Sequence, residues 1–383
     1  MHSTGLIVIG SGPAGVSAAE AFRQLNSDDP VRILTDDPDL PYERPPLSKE
    51  FLRGEADIAD TELHPGRWYD EQAIELIHTG GVQAIDVAGQ YVVANGQHYP
   101  YRSLVLACGA KASPFPVSGG EKALQLRSLG DAKSLRSAAA EADSAVVIGA
   151  GFIGCEAAAS LAMRGVATTL VAPDPVPQGK RLGENAGQRI VGLLREVGVR
   201  YTGSVSVSSL GDGAVRLDNG VTIDCDLILA ATGVTPQSAL ADAAGIDTSG
   251  GRIAVDARMR TSVENIFAAG DVALAYNSLA GRPVAVEHWQ DAVDQGEIAG
   301  AGAAGHAREW DAVPGFWTTI GESTLKYHAW GDGFDRARLV EHNDGFTVWY
   351  EADGATVGVL THNVDDDYDR GEHLIRRKSP IPL

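Results

Sequence analysis

Two stretches of this chain repeat one arrangement, and the repeat restricts what the chain can fold into. Leu6-Ile7-Val8-Ile9 is a short, wholly apolar run of the kind that forms a buried parallel strand. Gly10-Ser11-Gly12-Pro13-Ala14-Gly15 follows at once, then an Ala-rich helical stretch over 16–25 with Glu20 and Arg23 on its polar side, then the strand Val31–Thr35, closed by Asp36-Asp37. The order recurs with a strand over 145–148, the turn Gly149-Ala150-Gly151-Phe152-Ile153-Gly154, a helix over 155–163 stopped near Gly165, and a strand over 168–172. In this setting the glycines let the backbone approach a pyrophosphate at a helix N-terminus, and an acid after the second strand accepts from a ribose hydroxyl. The first acid, Asp36, lies somewhat further along than the usual spacing of about 20 residues. One glycine turn alone is a weak signal. Two in the same context predict an α/β chain with two Rossmann-like dinucleotide-binding domains.

The rest of the chain fits around these units. Residues 56–77 read as a polar helical region, and 81–86 and 91–93 as strands of a meander turned by Asn95-Gly96. Two apolar strands, 104–110 and 226–234, end alike in a small residue and a glycine, Ala107-Cys108-Gly109 and Ala231-Thr232-Gly233, where a backbone must pass close to something. A helix is expected over 192–199 and short strands over 205–223. Ala269-Gly270-Asp271 closes a further strand, and Glu287-His288-Trp289 leads into a helix through Ala299. From Pro314 aromatic residues rise and turn pairs recur at Asp332-Gly333, Asp344-Gly345 and Asp353-Gly354, so a small C-terminal α+β domain, mainly β, is expected. Residues 365–369 read as a solvated helix start and not as a calcium loop. The expected division is 1–112 and 237–311 for the first nucleotide-binding domain, 113–236 for the second, and 312–383 for the third.

Charge and cysteine usage narrow the function. The 383 residues carry 51 acids against 31 bases, a formal charge of −20, which argues against nucleic acid or an anionic membrane as partner. No apolar run approaches the roughly 20 residues that span a bilayer, and the first residues have no cationic leader, so a cytoplasmic protein is expected. Cys108, Cys155 and Cys225 are far apart in apolar stretches and read as buried free thiols; no metal site is expected.

Between the two glycine turns lies Pro41-Tyr42-Glu43-Arg44-Pro45-Pro46-Leu47-Ser48-Lys49. Its prolines fix φ and remove N–H donors, which predicts a stiff loop unable to start as a helix or a central strand. Such a loop can hold Arg44 and Lys49 in place, and it contains no cysteine.

Taken together, these motifs resemble the two-dinucleotide-domain flavoprotein reductases of the pyridine nucleotide-disulfide oxidoreductase superfamily. The Pro41 to Lys49 stretch is similar to the ferredoxin reductase branch, which includes putidaredoxin, rubredoxin and dioxygenase-component reductases. The resemblance implies FAD on the first domain, NADH or NADPH on the second, and a ferredoxin-type iron–sulfur protein as electron acceptor, in a monomer or homodimer. By that resemblance Gly10, Gly12, Ala14 and Gly15 carry the FAD pyrophosphate, Asp36 the adenosine ribose, and Val82 reads adenine through its backbone. Arg44 and Lys49 match residues that contact the flavin, with Ala107, Gly109, Arg127 and Asp271 as further FAD contacts. Glu287, His288 and Trp289 match the stretch beside the flavin ring, and Trp317 an aromatic residue of the third domain near it. Gly149, Gly151, Phe152, Ile153, Gly154, Glu156 and Gly233 match the nicotinamide side, with Asp174 and Lys180 near its ribose. Departures include Cys108 where Thr is usual, Phe152 where Tyr is common, Lys111 for Arg and Asp291 for Asn.

The expected catalytic residues are Lys49, Glu156 and Trp289. Nicotinamide C4 passes a hydride to flavin N5, so no protein nucleophile is required. A Lys49 ammonium near N5 would stabilise negative charge there, and Glu156 would pair with it. NADH is expected over NADPH, with Asp174 facing the ribose and Lys180 and Arg181 opposing that choice. Two alternatives share the motifs: a redox-sensing NADH-binding flavoprotein resembling apoptosis-inducing factor, and an NADH oxidase or disulfide reductase. A thiol mechanism needs a cysteine near the flavin, commonly in the region held here by residues 42–49, and none is there.

Overall fold

The computed structural model describes residues 4–382. By contact density they form two compact units. The first comprises residues 4–43, 62–111 and 235–314, the second 44–61, 112–234 and 315–382.

In the first unit a sheet runs in the order Ile74–His78, Val31–Thr35, Gly5–Ile9, Gln97–Leu106, Tyr91–Ala94 and Val82–Asp86, with Ile266–Ala268 also pairing with Gln97–Leu106. Pairing is parallel among Ile74–His78, Val31–Thr35, Gly5–Ile9, Gln97–Leu106 and Ile266–Ala268, and antiparallel in the meander. Gly5–Ile9 is buried throughout because both faces of the sheet are covered there. The helix Pro13–Leu25 packs against the helix Trp289–Ala303, and small residues set the distance. A Cβ on Gly296 would lie 2.3 Å from the Ala14 carbonyl oxygen, and one on Gly300 2.1 Å from that of Ala18.

The second unit has a four-stranded parallel sheet, in the order Arg200–Thr202, Ala167–Val171, Ser144–Ile148 and Leu227–Ala230, and a small antiparallel sheet of Val207–Gly211, Ala214–Leu217 and Thr222–Asp224. Residues 315–362 form a five-stranded antiparallel sheet, followed by the helix Asp365–Arg376, which opens on three aspartates. Acids there suit the positive end of the helix dipole.

Three expectations need correction. Pro45–Ser48 is a 3-10 helix: Pro45 and Pro46 sit in its first positions, where no N–H is needed. The stretch 56–77 contains only the short helices Ala59–Thr61 and Gly66–Glu71, and Ile74–His78 is a parallel strand beside Val31–Thr35. The helix expected over 192–199 is the end of a longer one, Gly179–Glu196, broken at Gly183, whose φ is +81°.

Candidate functional site

The two glycine turns share one construction, each within its own unit. Gly10 has φ +107°, and a Cβ there would lie 2.2 Å from the Ala107 carbonyl oxygen. Gly149 has φ +102°, with the Ala231 carbonyl oxygen 2.4 Å from the same point. The third glycines, Gly15 and Gly154, hold helix against strand: a Cβ on either would sit 2.0 Å from the carbonyl oxygen of the first glycine. The middle glycines differ from these. Gly12 and Gly151 cap the helices Pro13–Leu25 and Phe152–Met163 with φ −72° and −68°, values open to any residue. A Cβ on Gly12 would meet nothing within 4 Å, and one on Gly151 only the Gln178 side-chain nitrogen at 3.8 Å. Neither the backbone nor a protein neighbour requires glycine there, so the space beside the helix N-terminus fits a pyrophosphate in both turns.

Around the first turn, Ser11 Oγ and Thr35 Oγ1 are hydrogen-bonded at 2.8 Å, joining the turn to the end of the second strand. Of the two acids that follow, Asp37 is committed to structure: it accepts from Tyr42 Oη at 2.7 Å and from the Asp39 N–H. Asp36 is exposed and makes no hydrogen bond or ion pair among the described residues, which suits it to a ribose. Val82 opens its strand directly after Gly80 and Gly81, both at positive φ. Ala107 is buried at the end of the central strand, and Gly109 has φ +62° with open space where a Cβ would be. Asp271 is nearly buried on the turn Gly270–Val272, whose first N–H donates to Gln295 Oε1 at 2.9 Å. Arg252 donates to the Asp271 carbonyl and pairs with Glu287. His288 caps the Trp289–Ala303 helix and meets Asp291 at 3.0 Å, while Trp289 is half-buried at its first position. Gln295 and Arg252 were not singled out from sequence; each acts here through a contact distant along the chain.

In the second unit the charged centre is Glu156. Its Oε2 accepts from Ser48 Oγ at 2.5 Å and Lys49 Nζ at 3.1 Å, and its Oε1 from Thr318 Oγ1 at 2.6 Å. Glu156 and Lys49 are each 5% exposed. Phe152, Glu156 and Ser160 fall on one face of their helix at four-residue spacing. Ser160 Oγ donates to the Ser48 carbonyl at 2.7 Å, and Phe152 meets Phe316 edge-on, ring centroids 4.7 Å apart. Phe316 and Thr318 alternate along the strand Gly315–Ile320 and so share a face, while Trp317 between them is 43% exposed. Arg44 donates to the Arg127 carbonyl beside the capping box of Leu129–Glu141. Ile153 is exposed, and Gly233 has φ +106° with open space around it.

Asp174 pairs with Lys180 at 3.3 Å, and the Arg181 guanidinium lies over the rings of Phe152, Phe316 and Tyr327 at 5.4–5.9 Å. The three cysteines are free; Cys155 and Cys225 are buried as expected, whereas Cys108 is only partly buried. Burial, with a contribution from the Asp36 carboxylate, pushes the Cys108 thiol up to about 12. Burial raises Cys155 strongly and Cys225 as well. All three are thiols and not thiolates at neutral pH, the opposite of what a thiol nucleophile needs. Among the described residues no group of acids, histidines and cysteines could hold a metal ion, and no helix is long and apolar enough to cross a membrane.

The family model described as pyridine nucleotide-disulphide oxidoreductase matches residues 4–296. Rubredoxin-NAD(+) reductase of Pseudomonas putida is 33% identical over 329 residues, 84% of this chain and 85% of that one. A crystal structure of the ferredoxin reductase for the CYP199A2 system from Rhodopseudomonas palustris superposes with TM-score 0.93 at 29% identity, covering 98% of this chain and 95% of that one. The covalent putidaredoxin reductase–putidaredoxin complex gives the same TM-score and identity over 99% of this chain and 94% of that one.

Proposed function

This chain belongs to the pyridine nucleotide-disulphide oxidoreductase family, and on that premise we propose that it is an FAD-dependent NAD(P)H:ferredoxin reductase. The observation that carries the reading is the pair of matched glycine turns, each with an open middle glycine, because a chain with two dinucleotide sites is equipped to pass hydride from one to the other. FAD supplies the chemistry: it takes two electrons as hydride and gives them up singly. The chain's own residues bind and orient. In this reading residues 1–112 and 237–311 would hold FAD, 113–236 would hold the nicotinamide nucleotide, and Asp36 and Asp271 would face FAD. Lys49, oriented by Glu156, would offer its positive charge to the flavin ring. The acceptor is an iron–sulfur protein of ferredoxin type, and the setting is cytoplasmic. The names of the relatives support the acceptor class, since they are reductases of rubredoxin and ferredoxin.

The test is reduction of cytochrome c by NADH with and without an added ferredoxin. Turnover that appears only with the ferredoxin supports the reading, and turnover unchanged by it overturns it. The cysteines give a second check against a disulfide-reductase mechanism. A Cys108→Ala/Cys155→Ala/Cys225→Ala variant is expected to retain ferredoxin-dependent turnover within about threefold, because thiols with raised pKa are wall and not nucleophile. Loss of turnover in a folded, FAD-loaded triple variant would return a thiol mechanism to first place.

The coenzyme preference we propose is NADH. Both cations that could receive a 2′-phosphate are engaged elsewhere: Lys180 with Asp174, and Arg181 over three aromatic rings. A phosphate arriving there meets the Asp174 carboxylate while Lys180 is paired with that carboxylate and Arg181 lies over the rings. The expected kcat/KM ratio favours NADH at least about tenfold, roughly 1.4 kcal/mol; a ratio near one or below excludes this account.

A further inference from the structure

We propose that Thr318 is a positioning residue of the hydride-transfer site, acting through Glu156 on Lys49. The inference rests on the reading that Lys49 faces a bound flavin. It starts from how the Glu156 carboxylate is shared. Oε1 is occupied by the Thr318 hydroxyl at 2.6 Å, while Oε2 receives both Ser48 Oγ at 2.5 Å and Lys49 Nζ at 3.1 Å. Thr318 is 1% exposed, so no water competes for Oε1 from its side. With the Thr318 hydroxyl on Oε1, Lys49 Nζ lies within hydrogen-bond distance of Oε2, which leaves two of the three ammonium donors for other partners.

The strand that delivers Thr318 is registered on the helix that carries Glu156. Phe316 meets Phe152 and Thr318 meets Glu156, so two residues on one face of the strand match two on one face of the helix. Two strand positions rise about 6.6 Å and four helical positions about 6 Å, which lets both contacts form together. The C-terminal sheet therefore reaches the Lys49–Glu156 pair through the Thr318 hydroxyl.

Removing that hydroxyl leaves a buried carboxylate oxygen without its donor. The charged donor already bound to the same carboxylate is Lys49, and its ammonium is drawn to straddle both oxygens. Its charge then serves Glu156 more and the flavin less.

The experiment compares wild type, Thr318→Val, Thr318→Ala and Thr318→Ser by two measurements. The first is the flavin midpoint potential by photoreduction against a reference dye, which uses neither NADH nor a protein partner. The second is the rate of flavin reduction at saturating NADH, with the NADH dissociation constant. Thr318→Val and Thr318→Ala are expected to lower the potential and slow reduction about tenfold, with NADH affinity within about twofold, the size expected for a hydrogen bond to a charged group. Thr318→Ser restores both. In a Glu156→Gln background Thr318→Ala has no further effect on the potential. Variants that lose thermal stability but keep the wild-type potential and reduction rate overturn the proposal and make Thr318 a packing residue. Should Thr318→Val fail to fold, Thr318→Ala carries the same comparison without the branched side chain. Failure of the wider reading has its own signature: wild-type flavin that NADH does not reduce.

Discussion

Replacing Lys49 by Met is expected to cost more than any other single change at the charged centre, in stability and in rate together. Lys49 Nζ lies 3.1 Å from Glu156 Oε2, and both side chains are 7% exposed. An ion pair this deeply buried contributes little net stability compared with a well-packed apolar pair, because desolvation offsets the attraction. Removing one partner is different, since it strands a buried charge at a cost of about 3–5 kcal/mol. Ser48 and Thr318 still donate to Glu156 in the variant, which places the expected loss nearer the lower figure. The double variant Lys49→Met/Glu156→Leu is expected to regain most of that loss, because no charge remains unpaired. The rate behaves differently. Loss of a preorganised positive charge at the reacting centre is expected to slow flavin reduction by NADH about 100-fold or more, and the double variant does not recover it. Denaturant unfolding and stopped-flow reduction on Lys49→Met, Glu156→Leu and the double variant read both effects. If stability and rate recover together in the double variant, Lys49 serves only the fold.

That pair also marks the limit of what was legible in the sequence. Lys49 and Glu156 were picked out by resemblance, and the glycine turns by their setting. Thr318 was not singled out from the sequence. Its contact with Glu156 spans 162 residues, and no local pattern reports a partner so distant. The signal that existed was periodic: Phe152, Glu156 and Ser160 at helical spacing, Phe316 and Thr318 at strand spacing. It takes meaning only once the two elements are known to touch.

The misread elements have similar causes. Ile74-Glu75-Leu76-Ile77-His78 lies at the edge of its sheet, where one-sided burial leaves polar residues that look helical beside the preceding segment. Gly179–Glu196 was hidden by its glycines, which lower helix propensity by about 1 kcal/mol each relative to alanine. Close packing accounts for one of them: a Cβ on Gly187 would lie 2.3 Å from a Val176 methyl carbon. The apolar strands and the glycine turns were legible because burial on both faces and positive φ leave few residue choices.

The same distinction between glycines yields the other large effect expected. A Gly12→Val chain should fold with the thermal stability of the wild-type apoprotein, because Gly12 has φ −72° and nothing lies within 4 Å of its would-be Cβ. On the proposed function the added side chain would stand where the pyrophosphate approaches, so FAD affinity is expected to fall at least about 100-fold, roughly 2.7 kcal/mol. Gly151→Val should keep FAD, remain reducible by dithionite and lose reduction by NADH, since the same obstruction now stands at the other turn. Gly15→Ala is the contrasting change. Its Cβ would lie 2.0 Å from the Gly10 carbonyl oxygen, so helix and strand must separate, at a cost of about 1–3 kcal/mol or more. Flavin absorbance per chain and apoprotein melting temperature, measured on all three variants, separate the roles. Full flavin content in Gly12→Val, or NADH reduction intact in Gly151→Val, would show that the open space beside that glycine is not where the dinucleotide binds.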